Sequence, residues 1–280
     1  MIAELQPQFP WVAALLGLAV GSFLNVVIHR LPRMLQAQWT AQCAEIEGRP
    51  APQTPRYNLW VPGSQCPSCG HRLHAVHNIP VVSYLALRGR CAFCGSPISA
   101  RYPVVEALTA ALFAWVAVHF GWSEAAAGGL VLTAFLVALA MIDADTTLLP
   151  DDLTQPLLWI GLLMNLRSTY AALPDAVIGA VAGYLALWSV YWVFKLVTGK
   201  EGMGYGDFKL LAALGAWLGW KMLLPIVLMS SLVGALVGVV LIVLARRGRE
   251  IPIPFGPYLA AAGFLILLYG DRVAALMGLR

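Results

Sequence analysis

Charge is the scarcest resource in this chain. Only 11% of its 280 residues are charged and 60% are hydrophobic, against roughly 25% charged in soluble domains. The mean hydropathy of +0.75 points the same way. The solvent for most of the chain is therefore lipid, where open backbone groups find no partner and spans are helical. The net charge of +4 is too small for a nucleic-acid footprint and reads as loop charge that sets orientation. Internal repeats and low-complexity tracts are absent. The first ten residues hold no Lys or Arg, and no small-residue cleavage site follows the apolar run Trp11–Leu24. That run reads as a retained helix rather than a cleaved leader.

A span needs about 20 mostly apolar residues. The candidates are Pro10–Ile28, Val104–Phe120, Ala125–Ile142, Leu153–Leu166, Leu173–Val197, Phe208–Trp220, Met222–Leu244 and Pro254–Leu268. The expectation is an all-α polytopic membrane protein of about eight helices, two of them short. With eight spans, fourteen of the 18 basic residues fall on one side, and only Arg167, Lys221, Arg272 and Arg280 on the other. The basic side is expected to be cytoplasmic, with both termini outside. The predicted organisation is a first helix over 1–30, a polar cytoplasmic loop over 31–102, and a seven-helix domain over 103–280.

Four of the five cysteines sit in that loop, as Cys66-Pro-Ser-Cys69 and Cys91-Ala-Phe-Cys94. Residues 70–90 separate the pairs, just beyond the roughly 15–20 usual for a four-cysteine zinc site. Each CxxC turn offers two thiolates to one tetrahedral ion. Gly70 and Gly95 follow the pairs directly, where tight turns need a residue tolerant of positive φ. A loop too small for a core gains from a metal staple, so Cys66, Cys69, Cys91 and Cys94 are the expected zinc ligands. The rival reading is a redox dithiol, which a reducing cytoplasmic placement disfavours. His71, His74 and His77 read as solvated loop residues and Cys43 is assigned nothing.

Acidic residues at membrane depth are expensive and functional by default. Asp143 and Asp145 end the third span, Asp151 and Asp152 open the fourth, and Asp207 opens the sixth within Gly202-Met203-Gly204-Tyr205-Gly206-Asp207-Phe208-Lys209. All fall at the same face. Two close carboxyls do not both ionise easily; one keeps a proton while the other takes one from water, as in aspartic proteases. Glycines beside Asp207 let a backbone approach closely. Asp151 and Asp152, after Pro150, read as helix-capping acids, and Asp145 as a solvated helix-end residue. Each acid's own helix dipole makes Asp207, at a helix start, the readier base and Asp143, at a helix end, the readier acid. Glu106 reads first as a charge at a helix start, otherwise as a partner of Arg101 or of a substrate's N-terminus.

These residues resemble a known family. Gly204-Tyr205-Gly206-Asp207, followed by Phe208-Lys209-Leu210, is similar to the signature of the GxGD intramembrane aspartyl proteases. The segment Ile142-Asp143-Ala144-Asp145-Thr146-Thr147-Leu148-Leu149-Pro150-Asp151 is similar to the other motif of bacterial type IV prepilin leader peptidases/N-methyltransferases. Thr146-Thr147 stands where many members have a His or another polar residue. Gly21–Pro32, the double CxxC loop and Tyr102-Pro103-Val104-Val105-Glu106 carry the resemblance through nearly the whole chain.

The resemblance implies that Asp143 and Asp207 are the catalytic pair, with Gly204, Gly206 and Lys209 lining the approach of substrate. It implies a protease that removes a short basic leader, after a glycine, from type IV prepilins or type II secretion pseudopilins. It also implies N-methylation of the new first residue with S-adenosylmethionine, tied to the cysteine loop near Gly89 and, less directly, Glu106. No Rossmann-type glycine fingerprint marks a methyl-donor site. The implied location is the bacterial inner membrane, with loop and acids facing the cytoplasm. A dithiol oxidoreductase would instead need its cysteines on the oxidising side, and an ion pathway would place carboxylates at mid-membrane.

Overall fold

The computed structural model describes residues 6–50, 56–243 and 254–278. Eight long helices carry it: α1 (Phe9–Ile46), α2 (Arg101–Phe120), α3 (Glu124–Thr146), α4 (Asp151–Met164), α5 (Leu173–Thr198), α6 (Tyr205–Leu218), α7 (Leu223–Val243) and α8 (Gly256–Met277). No named strand occurs among the described residues, only two isolated bridges. Six helices, all but α4 and α6, are long and apolar enough to cross a membrane. The chain is thus an all-helical, multi-pass membrane protein. Leu244, the end of the seventh expected span, and Arg246, Arg247, Arg249 and Arg280, which count in the charge asymmetry, lie outside the described residues.

The chain divides into two compact units, Met1–Trp122 and Ser123–Arg280. This differs from the expected 1–30, 31–102 and 103–280. Hydropathy marks which segments lie in lipid, but not which pack together, and α2 packs along α1. Their contact is built on small residues. A Cβ on Gly17 would come 2.7 Å from Ala110 Cα, and one on Gly21 2.8 Å from Glu106 Cα. Such small-xxx-small stripes bring helices together where lipid offers no hydrophobic drive.

Helix α1 also runs far past Ile28. At 38 residues it is about 57 Å long, against a hydrocarbon core of about 30 Å. Residues 33–46 lose hydropathy but are rich in Met, Leu, Gln and Ala, all good helix formers. The helix therefore continues through Pro32 into the polar region.

In the second unit α6 is the core. It packs on α4, α5 and α8, and every residue from Leu210 to Leu218 is buried. A helix that is apolar all round belongs inside protein. This explains its length: 14 residues give about 21 Å, too short for lipid contact throughout, yet its neighbours satisfy its surroundings. Gly179 of α5 and Gly215 of α6 meet backbone to backbone, and Gly161 of α4 accommodates the Trp217 ring. Trp217 is fully buried and its Nε1–H donates to Leu157 O at 2.8 Å.

Asn165, fully buried after α4, closes one end of this unit. Its Nδ2 donates to Ala216 O at 2.9 Å and Trp217 O at 2.8 Å. Its Oδ1 accepts from the N–H groups of Tyr170 at 3.0 Å and Ala171 at 3.1 Å. At the same end Trp220 Nε1–H donates to Asp175. The ends of α4 and α6 thus share one face with the start of α5, and Asp143 and Asp207 share the other. The two short helices thus run between the two ends of this unit. Asn165→Ala would orphan two carbonyls and two N–H groups and is expected to lower stability by about 3 kcal/mol. Equilibrium unfolding in mixed micelles measures it; a loss under about 1 kcal/mol would mean water replaces the amide.

Candidate functional site

Asp143 sits in the last turn of α3, only 4% exposed. The helix stops just beyond it because Thr147 turns left-handed (φ 53°) and its N–H bonds Asp143 O at 2.8 Å. Pro150, in extended conformation, then opens α4. Asp207 lies in the first turn of α6, 7% exposed. It is close enough to Asp143 for the two carboxyls to repel. The structure therefore brings together the two acids singled out from sequence, although 63 residues (207 minus 143, less one) intervene.

A third helix completes the arrangement. The N–H of Gly256, at the start of α8, donates to Asp143 Oδ2 at 2.8 Å. A Cβ there would meet the same oxygen at 2.7 Å and Leu149 Cδ2 at 3.1 Å. Sequence reading missed Gly256. The available signal was a glycine between two prolines, Pro254-Phe255-Gly256-Pro257, read only as the start of the last span. Asp207 Oδ1 is buried with no hydrogen-bond partner. Two neighbouring buried carboxyls, one held by a lone backbone donor, are suited to sharing one proton and polarising a water.

The flanking glycines divide their work. A Cβ on Gly206 would come 2.6 Å from Leu149 Cβ, so Gly206 lets the loop after Asp143 pack against α6. Gly204 is exposed, and a Cβ there would find only Asp207 Oδ2, at 3.7 Å. It keeps the space beside that carboxyl clear. Lys209 is engaged elsewhere: its Nζ donates to both oxygens of Asp151, at 2.6 and 2.8 Å. Asp151 thus ties α4 to α6 and is more than a capping acid. Asp145 and Asp152 are exposed, outside the buried pair. The stretch before Asp207 is anchored by Lys195, whose Nζ donates to Glu201 at 2.8 Å and Tyr191 OH at 3.1 Å. The Lys195 hydrogen bond holds the Glu201 carboxyl below its ordinary range. The buried Tyr191 ring in turn packs on Tyr205, at 5.2 Å, and Phe208, at 5.7 Å.

In the first unit the cysteines form two matching hairpins. Cys66 N–H bonds His71 O and Cys91 N–H bonds Ser96 O, both at 2.9 Å. Gly70 (φ 68°) and Gly95 (φ 70°) make the left-handed turns. The four sulfurs lie within 4.8 Å of one another. Cys66 and Cys94 sulfurs are 3.8 Å apart; four sulfurs at about 2.3 Å from a tetrahedral zinc would be about 3.8 Å from each other. The residues fit a metal. The Ser96 hydroxyl and backbone N–H draw the Cys94 thiol down to about 6, and backbone N–H groups of Cys69 and Ser68 lower Cys66, whereas at Cys69 the His71 N–H is outweighed by burial and the sulfurs of Cys66 and Cys94, which push it up to about 11. His71, His74 and His77 gather instead around the Phe93 ring, at 3.7, 6.0 and 5.5 Å.

Glu106, 8% exposed, accepts the Val81 N–H at 2.7 Å. Val81 itself is left-handed (φ 60°), so a buried carboxylate holds a strained residue of the segment joining the two hairpins. Gly89 is also left-handed (φ 68°), and a Cβ there would meet Tyr84 OH at 2.9 Å. Its conformation and its crowding both require glycine.

Comparison with known proteins adds an independent line. Residues 15–120 match the bacterial peptidase A24 N-terminal domain, and residues 130–239 match the type IV leader peptidase family. The chain is similar to the prepilin leader peptidase/N-methyltransferase of Pseudomonas aeruginosa, 56% identical over 92% of this chain and 90% of that protein. It is equally similar to that of Stutzerimonas stutzeri, 56% over 95% and 93%, and of Aeromonas salmonicida, 56% over 98% and 96%. No solved structure matches it.

Proposed function

The chain belongs to the type IV leader peptidase family, and from that footing we propose that it is a membrane-embedded aspartic endopeptidase and N-methyltransferase. Its substrates are type IV prepilins or type II secretion pseudopilins, cut after the glycine that ends a short basic leader. The new N-terminal residue is then methylated. The observation that carries the peptidase half is the meeting of Asp143 and Asp207 as buried neighbours at one face of the second unit. Water-splitting by two carboxyls hydrolyses a peptide bond with neither metal nor covalent intermediate. Gly204 leaves room beside Asp207 for an extended substrate backbone, and Lys209 fixes the helix that presents it.

The cysteine unit serves the second half. Cys66, Cys69, Cys91 and Cys94 would hold a structural zinc, which ties the hairpins together. Gly89 and Glu106 shape the segment between them. S-adenosylmethionine supplies the methyl group when bound. The excess of basic residues in the loops supports a bacterial inner-membrane protein whose cysteine unit and aspartates face the cytoplasm, where a basic leader waits before cleavage.

The experiment is incubation of the purified protein in detergent with a prepilin and methyl-labelled S-adenosylmethionine. A shortened product carrying label at its first residue is expected. An uncut substrate would sink the peptidase reading; a cut but unlabelled one would sink the methyltransferase reading alone.

A further inference from the structure

We infer that Asp143 is the anionic carboxylate that activates water, that Asp207 carries the shared proton, and that Gly256 is the positioning residue that sets this division. The inference rests on the peptidase reading above and goes further into the same site. A backbone N–H can only donate, so the Asp143 oxygen it meets at 2.8 Å must accept. That bond favours the ionised form. Gly256 is also the first residue of α8, so the positive end of that helix dipole faces Asp143.

Asp207 is less fully served. Its Oδ1 is buried with no partner, and the nearby ammonium of Lys209 is spent on Asp151. The Gly204 N–H reaches the carboxyl, but a buried carboxyl with one oxygen left without a partner is cheaper to keep neutral than charged. The expectation from each acid's own helix is thereby reversed. It weighed α3 and α6 but not α8, a helix more than a hundred residues downstream that supplies the deciding donor.

The chemistry balances. Asp143 takes a proton from water as the water oxygen bonds to the scissile carbonyl carbon. Asp207 gives its proton to the carbonyl oxygen, leaving a tetrahedral diol. As the diol collapses, one hydroxyl returns its proton to Asp207, the C–N bond breaks, and Asp143 gives its proton to the departing nitrogen. Both acids end as they began.

The test compares Asp143→Asn, Asp207→Asn and Gly256→Ala in steady-state cleavage of a prepilin. An amide at 207 can still donate a hydrogen bond to the carbonyl oxygen. An amide at 143 can accept from Gly256 but cannot take a proton from water. Residual activity at least tenfold higher in Asp207→Asn is expected; equal residuals, or the reverse order, overturn the assignment. Gly256→Ala keeps the N–H but sets a methyl against Asp143, and is expected to lower kcat about 100-fold with KM within about twofold and unfolding midpoint unchanged. Unchanged kcat, or a loss confined to KM or stability, overturns the positioning role. Wild-type rates in both Asn variants would instead sink the aspartate pair itself.

Discussion

Alanine at either Asp143 or Asp207 is expected to abolish leader removal, lowering its rate by about 10⁴-fold or more, while leaving the protein folded. Both halves of that statement follow from burial. The reaction needs two carboxyls in opposite protonation states, and an alanine methyl at either position can neither take a proton nor donate a hydrogen bond in its place. The fold, in contrast, does not lean on them. Asp207 Oδ1 has no partner among the described residues, and the Asp143 side chain accepts one backbone N–H, from Gly256. Buried polar groups with so little compensation cost stability rather than add it, the usual condition of a site whose groups are placed for chemistry. The unfolding midpoint of either variant should match or exceed that of the wild type. Asp151→Ala makes the contrast: it breaks a half-exposed ion pair with Lys209, worth under about 1 kcal/mol, and should slow cleavage only several-fold. Rates and midpoints measured on the same samples check all three. An alanine variant that cleaves at more than about 1% of wild type would end the case for a two-aspartate site.

Much of this was legible in the sequence because the governing forces are local or simple. Lipid solvent writes itself into hydropathy, and the helices fall where apolar runs stand. The two CxxC pairs announce a hairpin pair, and GxGD announces an acid at a helix start. What stayed hidden depends on contacts between distant segments. Helix α1 extends past its apolar run because hydropathy reports lipid contact, whereas helix formation in residues 33–46 rests on propensity. The short α6 is enclosed from Leu210 to Leu218, a property of its neighbours and not of its own sequence. Gly256 lies 113 residues from Asp143, and nothing in its own segment announces a hydrogen bond to an acid. Gly206, expected to line the approach of substrate, also packs against Leu149. Asp151 looked like a cap and proves to be a cross-link. In each case residue type was readable while the partner was not.

Serine at Cys66 or Cys91, the two buried cysteines, is expected to empty the metal site and disable methylation while leaving cleavage within a few-fold of wild type. A structural zinc contributes roughly 10–16 kcal/mol to the folding of small four-ligand units, far more than the rest of this unit's loop could replace. The bridges Gln65↔Arg72 and Arg90↔Pro97 and the turns at Gly70 and Gly95 would loosen together, because the shared ion is the strongest tie between the hairpins. Val81 would lose the frame that keeps it left-handed against Glu106. The second unit has its own core around α6 and its own acids, so hydrolysis does not need the hairpins intact. Metal analysis should find about one zinc per wild-type chain and almost none in the variants, and limited proteolysis should cut the variants between residues 56 and 100 first. Label transfer from S-adenosylmethionine should disappear in the same samples that still shorten the substrate. A wild-type protein without bound metal would refute the zinc assignment. Parallel loss of both activities would show instead that the cysteine unit supports hydrolysis as well, and that the two halves of the chain act as one enzyme.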